Sequence, residues 1–194
     1  MRARAISAIG AYALVFVLLA VVSCAPSPHA SRPSPAAVPP TPLILAVNQG
    51  EARTWRNWKD TRVFIKVDAQ NGGSPDLVMG YEEIAPGLVI PTHRHLMADE
   101  IVFVYRGSGV AKIGEREEAF TEGATIYIPR NVRVTIRSTG TVPLAIAFIF
   151  SKPGMEGFIR DLSVPVGQPS PDLAPADIAR ITNSHRWHVI YDEP

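Results

Sequence analysis

Cysteine is all but missing from this 194-residue chain, with Cys24 the only one. A domain placed after it therefore forms no disulfide, and any metal site there must use nitrogen and oxygen ligands. A surplus of either charge is missing too. The formal net charge is +1, and once Arg2 and Arg4 are set aside, 17 basic residues face 18 acidic ones. That balance argues against a nucleic-acid partner, which needs a basic patch or stripe. The sequence also lacks an internal repeat and, before residue 150, any sustained helical period. Its hydrophobic content, 46%, and its length suit one domain with a real core plus appendages.

The first appendage spans residues 1–23. Arg2 and Arg4 precede an apolar stretch from Ala5 to Val22, which ends in Val21-Val22-Ser23-Cys24. This is the layout of an export signal. The ending resembles the bacterial lipobox, and the resemblance implies cleavage before Cys24, acylation of its thiol and a lipid tether to the membrane. An uncleaved transmembrane anchor is the alternative, since 18 apolar-rich residues lie at the lower limit for a span. Ala25 is not the aspartate that resembles an inner-membrane retention signal, so the periplasmic face of the outer membrane is the expected location. From Cys24 to Pro42 the composition turns to Pro, Ser and Ala, with prolines at 26, 28, 33, 35, 39, 40 and 42. Proline fixes φ and removes a donor, so this linker is an extended spacer reaching about 55 Å. His29 within it reads as a solvated residue.

The β-rich pattern starts at Leu43. Leu43–Val47 and Arg62–Val67 read as strands, separated by a segment in which Trp55 and Trp58 suit one face of a helical turn and a core-packing role. Further strands follow at Asp76–Ile84, Gly109–Ile113, Ala124–Ile128, Val132–Ile136 and Leu144–Phe150, each bounded by turn signals. Short strands at this spacing indicate an all-β sandwich or barrel. The barrel is expected to cover residues 43–165 and a tail 166–194, with the chain from Ser151 reading as irregular and proline-rich. The tail carries one helical signal, in which Pro175 fits the first turn, Asp177 sits where the dipole favours an anion, and Ile178 and Ile181 would face the barrel.

The chemistry concentrates in Gly87–Gly107. His93 and His95 are two residues apart, so on a strand they share a face about 7 Å apart along the backbone. Leu96 to Asp99 allow a reversal, and Glu100 then opens the run Ile101–Tyr105, which returns its carboxylate beside the imidazoles from a neighbouring strand. Two imidazoles and a carboxylate form the ligand set of an open zinc or non-haem iron site. Asp99 competes with Glu100 for the carboxylate role.

The spacing Gly87, His93, His95, Glu100, Gly107 resembles the first motif of the cupin superfamily at every defined position. Gly123 and Pro129 resemble the second motif, but Asn131 stands where that family has glycine, Val134 where it has a further histidine ligand, and Ser138 where it has asparagine. The resemblance implies a cupin double-stranded β-helix, a jelly-roll barrel, here with a short C-terminal helix. It implies one divalent transition metal (Fe, Mn, Ni, Cu or Zn) held by His93, His95 and Glu100, and a small-molecule partner. Homodimerisation is an expectation from the family alone. Val134 leaves two readings, an ion with extra open positions or a lapsed site. His185 and His188 could supply the lost ligand by folding over the barrel mouth, although an exposed C-terminal segment is the simpler reading. Tyr81 and Glu83, which alternation places on one face of the preceding strand and which excludes Glu82, are the candidate catalytic acid or base. The expected activity is a metal-dependent, dioxygenase-type reaction, with a non-catalytic envelope binding module as the alternative.

Overall fold

Strand formation follows the alternation of apolar and polar residues, which lets one face of each strand be buried while the other meets solvent. The computed structural model describes residues 39–58 and 61–192. The expected export signal, Cys24 and the expected linker up to residue 38 lie outside the described residues.

The chain forms β1 (Glu51–Trp55), β2 (Arg62–Val67), β3 (Val78–Ile84), β4 (Val89–His95), β5 (Glu100–Arg106) and β6 (Ser108–Ile113). It continues as β7 (Arg116–Thr121), β8 (Thr125–Ile128), β9 (Val134–Ser138), β10 (Leu144–Phe150) and α1 (Met155–Leu162). Last come β11 (Ser163–Pro165), α2 (Pro175–Ser184) and β12 (Val189–Tyr191). The strands form a seven-stranded sheet, ordered β11-β1-β2-β3-β10-β5-β8, and a five-stranded sheet, ordered β12-β4-β9-β6-β7. All pairings are antiparallel. The inward faces make one core in which Val63, Ile65, Val78, Val104 and Leu144 are fully enclosed. The all-β barrel expected from the sequence is therefore the observed architecture.

Three local expectations are corrected. Leu43–Val47 is not a strand. Its carbonyls make no ladder, because the Lys66 ammonium takes the carbonyl oxygens of Ala46 and Val47 at 2.8 and 2.6 Å, and that of Gln49 as well. Ile44 stands 99% exposed there, so an apolar run without a pairing partner gains nothing from extending. Trp55 closes β1 rather than opening a helical turn, and its ring meets Trp58 edge-to-face at 6.1 Å. The segment after Ser151 is not irregular, since α1 follows it directly. Met155, Phe158, Ile159 and Leu162 recur at helical spacing, so this signal was present in the sequence.

Helix α1 closes one end of the barrel. Phe158 is fully buried and touches Trp55, His185 and Tyr191 at centroid distances of 6.5, 5.7 and 5.9 Å. Arg160 fastens the helix to the sheet through Glu51 and the enclosed Asp68, each at 2.5 Å. Arg53 adds bonds to the Ser163 hydroxyl and to the backbone carbonyl of Arg160. Helix α2 starts at Pro175, as its sequence signal predicts, and buries Ile181. The tail then returns as β12 to pair with β4, so it completes the smaller sheet. Phe158→Ala leaves a cavity where three elements meet, and urea unfolding should show a loss of about 3–5 kcal/mol.

Candidate metal centre

The site begins with a change of strand parity. Along β4, Ile90 pairs with Ile136 of β9 while His93 pairs with Val134, so β4 carries one extra residue between these pairs. This is a β-bulge, and it lies at Pro91, which has no N–H to offer a ladder. Leu88 and Ile90 pack on the core before it, and His93 and His95 face the same interior after it. The bulge also exposes the Pro91 carbonyl, which lies 2.7 Å from His93 Nδ1. A carbonyl only accepts, so Nδ1 carries the proton and the His93 Nε2 lone pair is left bare.

Leu96–Asp99 then carries the chain from one sheet to the other. Glu100 opens β5 in the larger sheet, so its carboxylate meets the imidazoles across the barrel interior and not from a neighbouring strand of the same sheet. One ligand atom from each of His93, His95 and Glu100 lies within 4.8 Å of the others, and all three residues are buried. His95 Nε2 is 3.2 Å from Glu100 Oε2 yet makes no hydrogen bond. Burial, followed by the nearby His95, holds the His93 imidazole down to about 4, so it is neutral and able to ligate at ordinary pH. A bare Nε2 lone pair, an orphaned buried imidazole nitrogen and a carboxylate with no described cation beside it fit a divalent metal ion. Removing water from three such groups without a partner is costly.

Comparison with known proteins bears on the fold around this site. Residues 80–150 match the Cupin domain family, and the barrel overlays a crystal structure of a predicted oxalate decarboxylase from Thermotoga maritima. That overlay has a TM-score of 0.50 at 14% identity and covers 57% of this chain and 100% of the other. Over these residues the chain is similar to the cupin family, and its barrel shares the cupin fold. A curated relative, the tetracenomycin polyketide synthase protein TcmJ of Streptomyces glaucescens, is 27% identical over 79 residues. That match takes in 41% of this chain, which spans about half (53%) of the relative's length.

The glycines at 87, 107 and 123, on which the resemblance to the cupin motifs rests, all adopt positive φ. Asn131 stands where the family has glycine and adopts φ 63°, the left-handed region that asparagine tolerates better than most residues. Val134 stays in the interior at 1% exposure, in register with His93, and brings no ligand. On the other side of His93, Tyr191 of β12 occupies the same row and stacks on its ring at 5.4 Å.

The remaining candidates separate clearly. Asp99 is held by Arg130 outside the site, through its side chain at 2.8 Å and its backbone N–H at 2.9 Å. His185 pairs with Asp161 at 2.7 Å and His188 lies over Gly154, so neither joins the metal group. Tyr81 and Glu83 share a face of β3, but that face is the outer one. Glu83 there meets Arg62 and Arg106 and accepts from the Tyr81 hydroxyl. It is Glu82 that lines the cavity beside the metal group, with Oε1 accepting from Trp55 Nε1 at 2.8 Å. The correction follows from alternation itself: which of two adjacent acids faces inward depends on which side of the sheet is covered, and that is fixed only by the packed barrel. Trp55, expected from the sequence to pack in the core, and Tyr191 are cavity walls.

Burial pushes the Glu82 carboxyl up to about 7; the Trp55 hydrogen bond opposes this and the Glu100 charge adds to it. Burial, with Glu82 and Glu100 beside it, raises the Tyr191 phenol as well, so Tyr191 is a neutral O–H. In metal-free protein the raised Glu82 binds its proton more tightly in the folded than in the unfolded chain. Stability therefore falls as pH rises between the ordinary carboxyl value and about 7. Urea unfolding at pH 5 and pH 8 should show Glu82→Gln flattening that decline, by on the order of 3 kcal/mol. His93→Ala with His95→Ala should reduce bound metal to less than about a tenth of the wild-type content by elemental analysis, with the β-sheet circular dichroism retained.

Proposed function

We propose that this protein is a metal-dependent small-molecule enzyme tethered at the bacterial cell envelope, with dioxygenase-type chemistry favoured over isomerisation or decarboxylation. The observation that carries the reading is the buried His93–His95–Glu100 group set directly against a cavity of about 90 Å³ with largely apolar walls. A divalent ion bound there would act as a Lewis acid and, if redox-active, as a place for dioxygen to react.

The chain supplies the rest. Three side chains would hold the ion, and the apolar Val134 in the row of His93 would add no fourth ligand, leaving room for a substrate oxygen, water or dioxygen. That vacancy is why oxygenation is preferred. The Pro91 carbonyl keeps His93 in the ligating tautomer, and the Phe150 ring, 4.7 Å from His95, excludes water from behind the site. Glu82 replaces Tyr81 and Glu83 as the group placed to accept or return a proton, since it alone of the three faces the cavity. Likeness to the Thermotoga structure extends to the fold, so its predicted decarboxylation is not transferred. Envelope tethering rests on Arg2, Arg4, the apolar stretch and the lipobox-like ending at Cys24, with the proline-rich linker as the spacer.

Elemental analysis of the purified full-length protein should find about one divalent transition metal per chain. Oxygen uptake should then appear with members of a panel of diols and flavonoid-like compounds, and should vanish in the double histidine variant. Tight metal with saturable ligand binding but no uptake would instead support the binding-module reading.

A further inference from the structure

The charge and hydrogen-bonding inventory of the cavity limits what it can hold. Two carboxylates face it, Glu82 and Glu100, and among the described residues that line it none is lysine or arginine. Glu82 is buried, with one oxygen engaged by the Trp55 indole and no described partner on the other. Thr61 lines the same cavity at 5% exposure, and its Oγ1 is buried without a hydrogen-bond partner. Two enclosed polar groups thus await a partner of the kind a ligand provides. Around them the walls are mostly apolar: Trp55 and Trp58 meet edge-to-face, and Ile84 and Phe148 line the same cavity.

We propose that the cavity selects an uncharged, mainly aromatic or apolar small molecule carrying a hydroxyl group, whose O–H donates to the free Glu82 oxygen while the ring lies against Trp55 and Trp58, and that it rejects carboxylates and phosphates. The inference rests on the metal reading above through its charge count. A divalent ion with two carboxylates and neutral imidazoles sums to zero, so a neutral ligand leaves the enclosed site neutral. An anion leaves an uncompensated buried negative charge, with no described cationic side chain to meet it. A hydroxyl also satisfies Glu82, which a carboxylate ligand would repel. Glu82 is on this reading a specificity and positioning residue, and Thr61 a second contact for the same polar end.

The test uses three probes of one shape and different charge: 2-naphthalenemethanol, 2-naphthoate and 2-naphthylmethylammonium. Each is titrated calorimetrically at pH 8 into the full-length protein, zinc-loaded and chelator-treated. Zinc-loaded wild type should bind the alcohol at least about tenfold tighter than the naphthoate. Glu82→Gln removes the repelling charge, so the ratio should fall at least about fivefold, mainly by admitting the naphthoate. Equal wild-type affinities for alcohol and naphthoate overturn the proposal without recourse to any variant, as does an unchanged ratio in a folded Glu82→Gln protein. Chelator treatment leaves two unbalanced carboxylates, so the ammonium probe should then become the preferred ligand. If zinc fails to bind while the alcohol is still preferred to the naphthoate through Glu82, the metal reading fails and the selectivity stands.

Discussion

Everything in this barrel turns on the closeness of His95 Nε2 and Glu100 Oε2, 3.2 Å apart across the interior with no hydrogen bond between them. The two atoms belong to facing sheets, so their approach fixes how the sheets are spaced at the mouth. Both are out of water, where an unshared lone pair and a carboxylate are expensive. A divalent ion would offset that expense by bonding both, with His93 as the third ligand. Without such a partner, the packing that brings them together would be working against itself.

The neighbouring elements make sense as ways of holding that arrangement. The bulge at Pro91 turns the imidazoles inward and offers the carbonyl that sets the His93 tautomer. The Leu96–Asp99 crossing is pinned at its end by the Asp99–Arg130 pair, and the Asn131 N–H donates to the His95 carbonyl at 2.6 Å. Below, α1 seals the barrel with Phe158 and is itself anchored by the Arg160–Glu51–Asp68 network. From the far end of the chain, β12 pairs with β4 and lays Tyr191 against His93. Chain segments separated by nearly a hundred residues thus converge on one small volume.

Within it, polarity is sharply divided. The metal group and Glu82 lie on the inner wall, and apolar and aromatic side chains make up most of the rest. A cavity so lined favours ligands that bring little charge, because each buried charge requires a counter-charge and the described lining offers no lysine or arginine. The substrate preference proposed for the site is an electrostatic consequence of the barrel interior and does not follow from fold membership.

The sequence by itself determined the all-β barrel, most of its strands, the helix at Pro175 and the meeting of His93, His95 and Glu100. Each of these is written in local order: period-two alternation, turn residues at strand ends, a proline at a helix start, and fixed intervals between His93, His95 and Glu100. It also carried a legible helix at Met155–Leu162 that the proline-rich surroundings concealed. Only the tertiary structure decided that Glu82, not Tyr81 or Glu83, faces the cavity, because alternation assigns faces in pairs and the covering sheet chooses between them. It alone decided that Leu43–Val47 stays unpaired, since an apolar run becomes a strand only where a neighbouring edge is free to bond it. The places of Tyr191 and Trp55 beside the metal group were likewise set by pairings and packing between distant segments, which no local pattern records.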